Sequence, residues 1–178
     1  MDSDLLKRFA LGDLDAFESL FREFQGEVYG WIVAIVRNPA AAEDLTLETF
    51  WRIYRARARF DPERSFGAWA RRIATNAALD HLKTVRREPE SDSAQAEGYA
   101  AVAAPDSAVC AEVRSAIEMA FRTLPARLQA VATLALIEQR TQAEIAEALG
   151  VSVAAVKSRE FRAVRLLRQK LKRFGVEP

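Results

Sequence analysis

Between Phe17 and Ile35 the apolar side chains Phe17, Leu20, Phe21, Phe24, Val28, Trp31, Ile32 and Ile35 fall three or four residues apart. That spacing draws a stripe down one face of a helix and excludes a half-buried strand, whose apolar residues alternate. A helix carrying such a stripe gains its stability by packing against other helices with matching faces. The same period returns in Phe66, Trp69, Ala70, Ile73, Ala74 and Ala77, and no stretch of the chain shows strand-like alternation or an internal repeat. The expected fold is all-α.

Punctuation divides the chain further. Asn38-Pro39 ends the first long helix, because the residue before proline is pushed out of the helical region. A helix over about 40–58 follows, with Glu43 and Asp44 in its first turns, where the helix dipole favours negative charge. RFDPERS reads as a loop, and a further helix runs from Ser65 or Phe66 to about Arg87. With a short helix near 3–11, residues 1–87 make one small helical domain. EPESDSAQAEGYAAVAAP, residues 88–105, is acidic and rich in small residues, and lacks a bulky stripe, which predicts a flexible acidic linker. Shorter helices are expected over about 106–123, 125–139, 141–149 and 152–174, forming a second small domain over 106–178.

The net charge of +1 conceals an uneven distribution. Residues 1–87 hold 14 basic and 13 acidic side chains, 88–112 hold none and 6, and 113–178 hold 12 and 6. A basic C-terminal end beside an acidic connector predicts an anionic partner for that end. One cysteine, Cys110, and one histidine, His81, are too few for an intramolecular disulfide or a Cys/His metal site. Cys110 reads as a small apolar residue near a helix start. With no phosphate-binding glycine loop either, no catalytic residue, metal or cofactor is expected. MDSDLLKRFALGD lacks a signal-like apolar core and no segment approaches the length of a membrane span, so a cytoplasmic protein without membrane insertion is expected.

The densest signal lies at TQAEIAEALGVSVAAVKSREFRAV. Thr141 can cap the helix QAEIAEAL, with Glu144 at the capping-box position. Gly150 suits a left-handed turn and Ser152 caps the helix beyond it. Ala146 is small enough for helices to cross closely, while Ile145, Leu149, Val151 and Val156 can fill the space between them. This is a helix-turn-helix pattern. Its second helix offers Lys157, Ser158, Phe161 and Arg162 on one outward surface, flanked by Arg159, Arg165, Arg168 and Lys170. In a major groove, Lys and Arg donate to guanine and Ser meets either kind of edge; Phe161 can meet a thymine methyl or pack in the core. Surplus cations would neutralise phosphates.

AEIAEALGVSVAAVKSREFRAV resembles region 4 of the extracytoplasmic-function (ECF) group of bacterial sigma-70 family RNA polymerase sigma factors. AEDLTLETFWRIYRA and RFDPERSFGAWARRIATNAALDHLK resemble region 2 of the same family, and LPARLQAVATLALIEQRT extends the likeness. The resemblance implies a non-enzymatic promoter-specificity subunit that binds core RNA polymerase and promoter DNA, with an anti-sigma factor as a further candidate partner. It implies a polymerase-docking surface at Asp44, Leu45, Glu48, Thr49, Phe50, Arg52 and Tyr54; without the resemblance this helix reads as an ordinary solvated face with Phe50 in the core. It further implies -10 recognition and melting by Arg71, Arg72, Asn76 and Lys83, with Arg64 and Ser65 in the loop that captures a flipped base. Lys157, Ser158, Arg159, Phe161, Arg162 and Arg165 would read the -35 element. His81 is a further helix-surface candidate near phosphate, while Phe66 and Trp69 belong to the core stripe.

Three features depart from the family pattern: Ala154-Ala155 where Gly-Thr is usual, Glu160 where an aliphatic residue is usual, and Val164 in place of an arginine. Glu160 follows the core residue Val156 by one turn, and an unpaired buried carboxylate would cost several kcal/mol. It must reach solvent, pair with Lys157 or another cation, or accept from a cytosine amino group. The competing reading of the whole chain is a helix-turn-helix regulator whose first half senses or dimerises; it leaves the first-half resemblance unexplained.

Overall fold

A computed structural model describes residues 3–87 and 108–173, the side chains of the second segment from 112 onward. The sequence assignments at 88–105 and at the Cys110 side chain lie outside the described residues. The chain forms two compact units, each with its own core, and among the described residues every regular element is helical. No described helix is long and apolar enough to cross a membrane.

The first unit is built from α1 (Ser3–Leu11), α2 (Leu14–Val36), α3 (Pro39–Ala56), a 3-10 turn at Arg57–Arg59, and α4 (Phe66–Arg87). Asp13 caps α2 by accepting from the Ala16 N–H at 3.0 Å while pairing with Arg8 at 2.8 Å. The α2 to α3 corner is tighter than Asn38-Pro39 alone predicts. Arg37 takes the left-handed conformation at φ 54° and its N–H returns to the Val33 carbonyl at 2.8 Å. Asn38 then caps α3 through the Ala41 N–H, and Pro39 sits in the first turn, where its missing N–H is harmless.

The predicted stripes meet in the interior. Leu20, Phe24, Val28, Ile32 and Ile35 of α2 are buried, as are Phe66, Ala70, Ala74 and Ala77 of α4, while Trp69 and Ile73 lie at the margin. Phe9, Phe60, Phe24 and Phe66 form one aromatic cluster, with Phe9 and Phe66 edge to face at 5.5 Å. Each such ring removed from water contributes about 2–3 kcal/mol. A side chain at Gly67 would come within 3.1 Å of the Phe24 ring, so glycine lets α4 lie close against α2. Trp31 Nε1–H donates to the buried Thr75 hydroxyl at 2.9 Å, locking the same two helices in register.

The C-terminal part of the chain comprises α5 (Ala108–Arg122), α6 (Ala126–Ala132), α7 (Gln142–Leu149) and α8 (Val153–Arg173). Ala120, Phe121 and Leu124 pack with Ala132, Ala163 and Leu167. The helix expected over 125–139 is not uniform: Thr133–Ile137 widens into a π turn, in which the Glu138 N–H reaches the Thr133 carbonyl at 3.0 Å. Gln139, at φ 52°, then reverses the chain without a glycine.

Candidate nucleic-acid and partner interfaces

The helix-turn-helix is built as its local sequence requires. Thr141 and Glu144 form a reciprocal capping box, with Thr141 N–H to Glu144 Oε2 at 2.9 Å and Glu144 N–H to Thr141 Oγ1 at 3.2 Å. Gly150 adopts φ 62°, the Val151 N–H bonds the Ala146 carbonyl at 3.0 Å, and Ser152 caps α8 through the Ala155 N–H at 3.2 Å. Ile145, Ala146 and Val156 are buried, Leu149 and Val151 half-buried.

Lys157, Ser158, Phe161, Arg162 and Arg165 are exposed on α8, and Arg159 is half-buried. Phe161 is 71% exposed, so of its two sequence readings, groove contact and core packing, the structure excludes packing. Arg162 is braced by its own helix: Nη2 donates to Ser158 Oγ at 3.0 Å. Of the three fates expected for Glu160, pairing with Lys157 is not the one seen; the carboxylate keeps partial access to solvent. It is half-buried, and its Oε2 accepts from Gln142 Nε2 at 3.1 Å, so its partner is a neutral amide on α7 rather than Lys157.

On α4, Arg72, Asn76 and Lys83 are exposed, and spacings of four and eleven residues set them along one face. Arg71 is less free: Nη1 pairs with Glu27 at 2.7 Å and the guanidinium lies 5.7 Å from the Trp31 ring centre. Lys83 pairs with Asp80 at 2.9 Å, a bond that holds the Asp80 carboxyl below the usual carboxylate range. His81 is half-buried, and desolvation pushes its pKa down, partly opposed by Glu48; the neutral imidazole this favours is poorly suited to phosphate.

Arg64 and Ser65 line a cavity of about 470 Å³, whose polar walls also include Glu27 and Arg71 and whose apolar walls include Phe24 and Phe66. The loop holds its shape through an Asx turn, Glu63 N–H to Asp61 Oδ1 at 3.1 Å, and Ser65 Oγ caps α4 at the Ala68 N–H. The sequence named Arg64, Ser65 and Arg71 as site residues; Glu27, 44 residues from Arg71, carries no local signal.

The expected docking surface on α3 divides. Asp44 and Glu48 are exposed, and Arg52 bonds Glu48 at 2.6 Å while lying 3.6 Å from Asp80. Leu45, Thr49 and Phe50 are buried, which corrects their assignment as docking surface: they lie on the inner face with Ala42 and Ile53, and Phe50 packs on Phe21 at 4.7 Å. Tyr54 is half-buried against Phe17, beneath the Arg57 guanidinium at 4.4 Å. The outward apolar groups are instead Leu47, 63% exposed, and Trp51, 59% exposed, which share the outer face with Asp44 and Glu48. The helical phase of Ala42, Thr46, Thr49 and Ile53 would have pointed to them.

Two helical units, one with a helix-turn-helix bearing an exposed cationic face and the other with an acidic and aromatic outer helix, define a DNA-binding protein that also carries a surface fit for a protein partner. Residues 20–88 match the family model for Sigma-70 region 2, and residues 120–169 that for Sigma-70, region 4. RNA polymerase sigma factor CarQ of Myxococcus xanthus is 34% identical over 97% of this chain and 98% of its own length. ECF RNA polymerase sigma factor BldN of Streptomyces coelicolor is also 34% identical, over 92% of this chain, which spans 63% of that protein. Among solved structures, CnrH in complex with the cytosolic domain of CnrY matches with a TM-score of 0.59 and 25% identity, covering 96% of this chain and 97% of that one. The chain belongs to the ECF group of RNA polymerase sigma factors, proteins that confer promoter choice on a polymerase and are not themselves enzymes.

Proposed function

We propose that this sigma factor divides promoter recognition between its two units and works in the cytoplasm. Residues 106–178 read the -35 element through Lys157, Ser158, Arg159, Phe161, Arg162 and Arg165. Residues 1–87 open the -10 element with Arg71, Arg72, Asn76 and Lys83, the base taken from the stack entering the cavity beside Arg64 and Ser65, and residues 88–105 connect the two. The observation that carries this reading is the α8 face, where five potential contact residues are exposed beyond a correctly capped turn. Taking a base out of a duplex requires an apolar wall for its face and polar groups for its edge, and the cavity offers both.

Core polymerase docks on the outer face of α3, where Asp44 and Glu48 flank Leu47 and Trp51. Carboxylates around exposed aromatic surface suit a basic partner helix. An anti-sigma factor would be a further partner. The test is to add the full chain to core polymerase with a promoter library and sequence the transcripts. Initiation at a shared two-part element supports the reading; unspecific starts with folded protein would refute it.

A further inference from the structure

Two helices joined by a tight turn form a V whose closed end is fixed by the turn and whose opening angle is fixed by whatever joins the arms. Here the closed end is Gly150. Gln142 is the first residue of α7 and Glu160 lies seven residues beyond the start of α8, so each stands about 10 Å along its arm at 1.5 Å per residue. The hydrogen bond between them, 3.1 Å long, joins the arms at matching distances from the corner.

Both ends of this bond are held. Gln142 follows Thr141, which the capping box with Glu144 fixes at both its N–H and its hydroxyl. Glu160 lies between Val156 and Ala163, both buried, at the edge of the stripe α8 turns inward. That stripe consists of Val156, the small Ala163, and Leu167. Small and aliphatic contacts define burial but resist rotation of a helix about its own axis weakly, whereas a hydrogen bond is directional. Glu160 also stands beside Lys157 and Phe161, so any roll of α8 at this point re-aims the outward groups.

We infer that Glu160 is a positioning residue: through Gln142 it braces the open end of the helix-turn-helix and sets the angle at which α8 presents Lys157, Ser158, Phe161 and Arg162 to base edges. The inference rests on the -35 reading proposed above. Its distinguishing feature is that the bond matters and the charge does not, since a neutral amide can accept the same hydrogen.

The experiment uses the full chain with core polymerase and a promoter library randomised at the upstream element, comparing Q142L, E160L, E160Q, the double variant Q142L/E160L and, as a control of the reading itself, K157A/R162A. Loss of one such bond is expected to lower the ratio of preferred to disfavoured upstream sequences about five-fold in Q142L and in E160L. The double variant should be no worse than either single one, and E160Q should retain the wild-type preference. If E160L fails to fold, Q142L, whose site is at the surface end of α7, and E160Q decide. The inference is overturned if Q142L leaves the preference unchanged, or if E160Q loses it while folded. If K157A/R162A leaves upstream preference intact, the -35 reading itself is wrong.

Discussion

Cations are handled differently in the two units. In the N-terminal bundle, Arg71 is held by Glu27, Arg52 by Glu48, Lys83 by Asp80 and Arg64 by Asp61. On α8, Lys157, Arg162 and Arg165 face solvent, and Glu160 beside them bonds an amide. The α8 face is therefore ready for a polyanion as it stands, and phosphates need displace no carboxylate there. In the bundle, a phosphate reaching Arg64, Arg71 or Lys83 would have to compete with an intramolecular carboxylate, so its binding there would replace one ion pair by another. A surface that docks on duplex benefits from the first arrangement. One that acts after a strand has been exposed benefits from the second, because it attracts duplex DNA less in advance.

The largest effect should come from the core that holds the bundle's site in place. F66A is expected to cost about 3–5 kcal/mol, because Phe66 is fully buried among Phe9, Phe24 and Phe60 and also walls the cavity. Denaturant unfolding measures this; a loss below 1 kcal/mol would show that the aromatic cluster is not the bundle's centre. Next is W51A. An exposed aromatic at the centre of an interface commonly contributes 2 kcal/mol or more, so affinity for core polymerase should fall about thirty-fold with helical content unchanged. An unaltered affinity would remove α3's outer face from the docking reading.

Salt dependence sharpens the contrast itself. R165A should reduce the slope of log affinity for promoter duplex against log salt by about 1, whereas R71A, whose side chain is already neutralised by Glu27, should change it less. Equal changes would mean that both surfaces meet duplex alike. The smallest effect is one of pH. Because burial depresses His81 relative to its ordinary value near 6.5, the unfolded chain binds the proton more readily than the folded one. The bundle's melting temperature should fall as pH drops below about 6.5, and H81Q should flatten that dependence.

Much of the architecture is written in short-range sequence. Thr141 with Glu144, Gly150, Ser152 and Asn38 act on residues within a turn or two, and each is found in the role its chemistry suggests. What stayed hidden depends on position in space. Glu160 and Gln142 are 18 residues apart, and Arg71 and Glu27 are 44 apart, so neither pair has a local signature. Arg37 and Gln139 adopt left-handed conformations that glycine usually marks, and the π turn at Thr133–Ile137 has no compositional sign. On α3, motif resemblance selected Leu45, Thr49 and Phe50 where the helical phase favours Leu47 and Trp51 as surface; the motif records which residues matter without separating those that touch a partner from those that hold the helix.

The division of labour between the units is tested most directly by transcript sequencing with the full chain, core polymerase and two libraries, one randomised upstream and one downstream. K157A/R162A is expected to alter preference in the upstream library alone, and R72A/N76A in the downstream library alone. A change that crosses over, with α8 variants shifting downstream preference or α4 variants shifting upstream preference, would contradict that division.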